Sequence, residues 1–261
     1  MTNQVFENEA PTHIAYLDRV AASASGRAYK DTMLAALDLQ PGHTVVDLGC
    51  GPGTDLGALA QAVGPTGTVV GVDLDEEMVG RARERTAEVG QVEVRLGDLQ
   101  ELEFEDGSVD RARTDRVLQH VADPVRALEE ARRVLRPGGR LVMGEPDWDS
   151  LAIDSVDAEV SRAYTRHVAE KVVRNGVIGR QLARLAVAAG FGVPTVLPVT
   201  SVFRELREAD QIFGFERNTE RAIEAGYLSA SAGRQWLDGL ASGPFLATVT
   251  LYVVVAEVAL S

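Results

Sequence analysis

The sequence predicts an α/β fold, doubly wound, with a mostly parallel sheet. Three observations carry this. From residue 44 to residue 144, short Val- and Leu-rich runs alternate with longer runs of helical period. Gly, Pro and Asp punctuate the boundaries between them. A glycine-rich turn, Gly49-Cys50-Gly51-Pro52-Gly53, directly follows the first strand. Right-handed crossovers then place that strand at the centre of the sheet, with ligands at its carboxyl edge.

The elements follow in order. Ile14, Leu17, Val20, Met33, Leu34 and Leu37 recur at helical spacing and predict helices over 12–38, broken around 23–26 and stopped by Pro41-Gly42. Strand 44–48 leads to helix 53–63, strand 68–73 to helix 75–89, and strand 92–96 to a loop. Leu102, Phe104 and Asp106-Gly107-Ser108 approach strand 108–113, which precedes helix 123–135. Pro137-Gly138-Gly139 turns into strand 140–144. Beyond Pro146 the pattern predicts a long helix over 154–174, a loop at 175–179 and a helix to 189. Val, Thr, Leu and Tyr enrichment marks strands at 194–203 and 245–256, with polar helices over 207–225 and 229–241 between them. There is no internal repeat.

Composition narrows the function. With 261 residues, 45% apolar and 25% charged, the chain is an ordinary globular protein with room for a substantial core. A net charge of −13 repels a phosphate backbone. The best basic run, Arg132-Arg133 with Arg136, sits beside Glu129 and Glu130 and reads as a solvated helix face, so nucleic acid is not an expected partner. Cys50 is the single cysteine, which excludes an intramolecular disulfide and a cysteine metal cluster. No His, Asp or Glu grouping has metal-ligand spacing, and metal-free chemistry is expected. The apolar run Val253 to Ala256 is far too short to span a bilayer, and no charged leader precedes an apolar stretch. A cytoplasmic monomer or homodimer, without a membrane partner, is expected.

The glycine turn carries the chemistry. Val45, Val46 and Leu48 make a buried strand, and the turn lets backbone amides approach a nucleotide-like ligand closely. Asp47 would repel a pyrophosphate and attract a cation. Thr54 stands where the dinucleotide fingerprint requires its last glycine, and no Gly-Lys-Ser/Thr is present. The segment closely resembles the cofactor turn of class I S-adenosylmethionine (SAM) methyltransferases. The resemblance is to the small-molecule, ubiquinone/menaquinone-methyltransferase-like and bacterial natural-product type. Three further segments in the family's order support it: Val69 to Asp75, Gly97-Asp98-Leu99, and Val109 to Val121. Val134 to Val142 completes the likeness at the fifth strand.

The resemblance implies a Rossmann-like sheet of seven strands with an antiparallel terminal strand and inserted lid helices. It divides one structural domain into an N-terminal helical lid (1–40), a SAM-binding core (41–146), and a completion of the sheet with substrate-covering insertions (147–261). It implies that Gly49, Cys50, Gly51 and Gly53 approach the methionine part of SAM while Asp47 holds its ammonium. Asp73, twenty positions after Gly53, has the spacing of an acid that takes both ribose hydroxyls, with Leu74 beside it. Asp75 caps the next helix. Met78 packs against adenine or is plain core. Asp98 accepts from the adenine amine while the Leu99 amide donates to the ring, or Asp98 caps a turn. Thr114 and Asp115 contact the amino acid end. Asp115-Arg116 departs from the family's usual neutral or apolar residues and is either an internal salt bridge or a cofactor contact.

The acceptor side is less defined. Methyl displacement needs nucleophile, methyl carbon and sulfur in line, and the protein contributes orientation and exclusion of water. His120 is the candidate base, since an unperturbed imidazole suits proton transfer near neutral pH, or a histidine packed at a helix start. Trp148 would stack an aromatic acceptor while Glu145 or Asp147 positions a hydroxyl or amine. Alternatively, 145–149 is a capped loop anchored by the indole. His167 lines the pocket or faces solvent, the latter favoured. His13 and Tyr16 are lid contacts, and Arg180 binds an acidic acceptor or forms a structural ion pair. The expected reaction is O-, N- or C-methylation of a small molecule in secondary metabolism, with S-adenosylhomocysteine (SAH) as product. Two alternatives stay open: a non-methylating cyclisation or isomerisation on the same fold, and a non-catalytic SAM-binding protein.

Overall fold

A computed structural model describes residues 12–260. Seven strands form one sheet: β1 Thr44–Leu48, β2 Thr68–Asp73, β3 Val92–Leu96, β4 Val109–Asp115, β5 Leu135–Ile153, β6 Gly192–Phe203 and β7 Ala247–Glu257. Their order is β3-β2-β1-β4-β5-β7-β6. The first five run parallel, and only β7 runs against its neighbours β5 and β6. The order reverses between β1 and β4, which is where doubly wound sheets bind ligands. The expected fold class is the observed one.

Ten α-helices accompany the sheet among the described residues: α1 His13–Ala22, α2 Ala24–Leu37, α3 Leu56–Val63, α4 Glu76–Thr86, α5 Pro124–Val134, α6 Ala158–His167, α7 Ile178–Ala188, α8 Leu206–Phe213, α9 Phe215–Glu224 and α10 Ala230–Ala241. Alternation along the strands decides which face each side chain serves. Val45 packs with Met33, Leu37 and Leu59 under α2 and α3, whereas Val46 packs with Leu128 and Leu182 under α5 and α7. A third apolar cluster belongs to the covering helices. Tyr164, Phe215 and Trp236 pack with ring centroids 5.0–5.9 Å apart, and the Tyr164 hydroxyl donates to the Phe213 carbonyl at 3.0 Å.

Three boundaries differ from expectation for identifiable reasons. The fifth strand does not stop at 144. It runs on to Ile153 because β7 supplies partners from Tyr252 opposite Glu145 to Ala247 opposite Ile153. The helix read over 154–174 ends as α at His167 and passes into a π turn, Val168–Val172. The helix read over 207–225 is two, because Gly214 adopts φ +59° and caps α8 before α9 begins.

Candidate cofactor and acceptor cavity

The ends of β1, β2 and β4 open into a cavity of about 580 Å³, closed by α1, the π turn, α8 and α9. That volume lies in the range of small-molecule sites. Its floor is the glycine turn. Gly49, Gly51 and Gly53 all have positive φ, at +76°, +53° and +75°. Their surroundings separate their roles. A Cβ at Gly49 would meet Val117 at 2.4 Å and one at Gly53 would meet Ala82 at 2.9 Å, so both permit close packing of the protein on itself. A Cβ at Gly51 would point to open space, with only Leu17 at 3.5 Å. Gly49, Cys50 and Gly51 line the cavity, whereas Gly53 lies behind the turn against α4. The amides of Gly49 and Cys50 donate to the Val72 carbonyl, which fixes the turn to β2.

Asp73 ends β2 at the cavity wall. One of its oxygens accepts from the Gly51 amide at 2.7 Å and the other from the Asp75 amide at 3.0 Å. Each retains a lone pair. Asp75 caps α4 as expected, through the amides of Glu77 and Met78, and Met78 is buried against the cavity. Asp47 and Asp115 line it as well, whereas Leu74, Asp98, Leu99 and Thr114 do not. The Leu74 side chain points to solvent, and Leu99 is part of the core. Asp98 closes its own turn by accepting from the Gln100 amide at 2.8 Å. Thr114 shares the face of β4 that carries Ala112 and is 1% exposed, with its hydroxyl unpartnered. Strand alternation directs it away from Arg113 and Asp115.

Those two residues belong to a buried charge cluster. Arg113 reaches Asp55 at 3.0 Å, Asp115 at 2.9 Å and Asp47 at 3.6 Å. Lys30 on α2 pairs with Asp115 at 2.7 Å and with Asp55, and the Tyr29 hydroxyl donates to Asp115 at 3.4 Å. Burial pushes the Asp47 carboxyl up to about 6, against the pull of Arg113. Asp55 would also rise through burial, but Arg113 and Lys30 hold it at about 2. Three carboxylates against two cations leave an excess negative charge when all are ionised. Sequence reasoning missed Tyr29, Lys30, Asp55 and Arg113. The available signal was Arg113 itself, a charge in a central strand that can be buried only if paired.

On the acceptor side, the structure separates the residues of 145–149. Glu145 is fully buried beneath the loop after β4, where one oxygen accepts from the amides of Val117 (2.8 Å) and Leu118 (2.6 Å). Burial raises its carboxyl to about 8, opposed by the Leu118 bond. Asp147, also buried, is held by Arg180, which reaches Asp149 at 3.1 Å as well. Neither carboxylate lines the cavity, so acceptor positioning by them is corrected to support of the loop and of the strand. The ion-pair reading of Arg180 stands. Trp148 does line it, with its indole N–H donated to Gln119 at 2.8 Å and its ring edge-on to Phe213, centroids 6.4 Å apart. His120 lines the cavity with its side chain exposed. His167 does neither of the things expected of it, because it is buried in the lid core against Tyr227. The His13 side chain lies outside the described residues. Tyr16 lines the cavity and accepts from Arg116 at 2.7 Å.

Arg116 adopts φ +60°, a strained conformation for a long side chain. Asp115 and Arg116 do not pair with each other: Asp115 goes to Lys30 and Arg113, and Arg116 goes to Tyr16. The basic run, at the end of α5 and the start of β5, is a paired surface: Arg133 lies on Glu130 and Asp106, Arg136 on Asp110, and Arg132 donates to the Gly190 carbonyl. Among the described residues, no helix is long and apolar enough to cross a membrane, and no group of three metal-ligating side chains occurs.

A seven-stranded sheet of this order, with a glycine turn and a strand-tip acid lining one cavity, defines a SAM-dependent methyltransferase. Comparison with known proteins agrees. Residues 39–189 match the family described as "Methyltransferase domain", and the chain belongs to it. It is 65% identical, over 257 residues, to a protein of Streptomyces fradiae named as an uncharacterized 37.1 kDa protein in transposon TN4556; the match covers 98% of this chain and 74% of that one. It is 33% identical over 151 residues to demethylmenaquinone methyltransferase of Staphylococcus aureus (strain JH9), covering 58% of this chain and 62% of that enzyme. The solved structure of a SAM dependent methyltransferase from Aquifex aeolicus superposes with TM-score 0.56 at 20% identity, covering 94% of this chain and 98% of that one. SAM is the cofactor of this class.

Proposed function

We propose that this protein methylates a small organic acceptor on oxygen, nitrogen or carbon, as a cytoplasmic monomer or homodimer working in secondary metabolism. The observation that carries this reading is the cavity: the glycine turn and Asp73 share it with Trp148, Val168, Ile212 and Phe213 of the acceptor side. An enclosure roofed by helices suits a small molecule rather than a polymer. The match to the demethylmenaquinone methyltransferase covers only 58% of this chain, and the family match ends at residue 189, before α8, α9 and α10. Its acceptor is therefore not carried over.

The residues present fit the cofactor. Gly51 leaves space for close backbone approach, Asp73 keeps lone pairs for two hydroxyls, and Met78 offers an apolar wall for a purine. The excess negative charge around Asp47 and Asp115 suits an ammonium and a sulfonium. Bound there, SAM would supply an activated methyl group. The chain's own part is to hold, orient and exclude water. Glu145 and Asn175 keep the loop after β4 in place: Asn175 donates to the carbonyls of Leu118 and Val121 at 2.9 and 2.8 Å. His120, on that loop, is the group we assign to removing a proton from the acceptor.

Incubation with methyl-labelled SAM and a metabolite panel, preselected by thermal shift with SAH, tests the reading. Label must pass to the acceptor. A product formed without label would mean cyclisation or isomerisation, and SAH binding with no turnover across the panel would mean a non-catalytic binder. If His120 is the base, H120A lowers turnover by about 10² or more; a change confined to KM makes it pocket lining only.

A further inference from the structure

The two ends of the cavity carry opposite charge. Its carboxylates, Asp47, Asp55, Asp73, Asp75 and Asp115, come from the β1, β2 and β4 edge, and the two cations there, Lys30 and Arg113, are consumed by them. The lid end has only bases. Arg217 and Arg221 on α9 and Arg116 below them line the same cavity, and no carboxylate lies within ion-pair distance of any of the three among the described residues. In a chain of net charge −13 this is a marked segregation.

The nearby acids are otherwise engaged. Asp115 is taken by Lys30 and Arg113. Glu145 is turned to the amides of Val117 and Leu118. Asp210 on α8 accepts from the Phe215 amide at 2.7 Å. Meanwhile Nη1 of Arg217 and Nε of Arg116 are buried without a hydrogen-bond partner. The other face of Arg116 is taken by the Tyr16 hydroxyl and by the Tyr16 and Trp148 rings; leaving the remaining buried guanidinium nitrogens without acceptors is costly, and is tolerable where a ligand supplies them. Arg217 and Arg221 stand four residues apart on one helix face, where side chains are neighbours, and their planar forks match carboxylate or phosphate oxygens. Asn218, between them in sequence, also lines the cavity. The rest of that end is apolar: Val168, Val172, Val173, Ile212 and Phe213.

We infer that the acceptor is an amphiphilic anion whose apolar body packs on the π turn and α8 while Arg217 and Arg221 hold its carboxylate or phosphate, with Arg116 on the facing wall. This rests on the cavity being a methyl-transfer site, and deepens that reading by giving the acceptor a charge.

The test is calorimetric titration of the protein saturated with SAH, which fills the acidic end, using four probes of equal chain length: octanoate, octyl phosphate, octanol and octylammonium. At least one anion should bind ten-fold or more tighter than octanol, and octylammonium more weakly than octanol. The tighter anion tells carboxylate from phosphate. R217Q/R221Q should bring the anion down to octanol's affinity while SAH affinity stays as in the unmodified protein. R221Q alone, at an exposed position where folding is not at stake, should lose several-fold. Octanol binding as well as the anions, a preference for octylammonium, no binding of any anion, or an unchanged anion affinity in the double variant each overturn the inference. Absence of SAH binding by the unmodified protein overturns instead the methyltransferase reading, so the two failures are distinct.

Discussion

Replacing Glu145 by Gln should remove a pH dependence of stability whose size follows from where that carboxyl sits. Glu145 is fully buried, one oxygen accepts two amides and the other has no partner. Burial raises its pKa from 4.5 to about 8. A folded-state pKa above the unfolded one means the native chain holds the proton longer. Its contribution is therefore fully present below about 4.5 and is lost as pH rises through 8. One unit is about 1.4 kcal/mol, so from pH 6 to pH 9 the unmodified protein should lose about 3 kcal/mol that E145Q, which has no proton to release, retains. Urea unfolding followed by tryptophan fluorescence at pH 6, 7, 8 and 9 gives both curves. Other titrating groups, including Asp47, are common to both proteins and cancel in the difference. The reasoning is refuted if the two stability profiles stay parallel across this range. In melting temperature, the divergence corresponds to roughly 6–12 °C for a chain of this size.

Two further outcomes follow from the cofactor end. D73N should weaken SAH binding roughly ten-fold or more, since charged hydrogen bonds of about 1.5–3 kcal/mol each become neutral ones; calorimetry showing unchanged affinity would remove Asp73 from the site. G49A should be destabilised by more than about 2 kcal/mol, combining a positive-φ cost of about 1 kcal/mol with overpacking against Val117. G51A, with open space at its Cβ, should lose less stability while still weakening SAH; an equal loss in both proteins would contradict the division between packing glycine and ligand-facing glycine.

What was legible in the sequence was whatever obeys local rules. The alternation of strands and helices, the glycine turn, Asp73 and the Asp75 cap depend on neighbours within a few positions, and they lie where period and spacing put them. The end of β5 was not legible, because Pro146 reads as a stop unless β7 is known to lie alongside. Glu145 and Asp147 suggested a polar acceptor site because they follow a strand, but their partners, the Val117 and Leu118 amides and Arg180, are 28, 27 and 33 residues away. His167 was misjudged for the same reason: Tyr227 and the lid core cover a face that its own helix alone would expose. The Arg113 cluster joins β1, β4, α2 and the turn before α3, so its meaning exists only in three dimensions.

The aromatic cluster of the covering helices has a consequence for how this enzyme can change. Tyr164, Phe215, Trp236 and Phe245 pack on one another and not on the floor that carries Asp73 and the glycine turn. Mutations that reshape α8 and α9 therefore draw on a reserve of stability separate from the one that shapes the floor. Over generations the roof can drift toward new acceptors while the floor keeps its ligand. A laboratory library confined to the cavity-facing positions of α9 and the π turn would sample that freedom without unfolding the sheet.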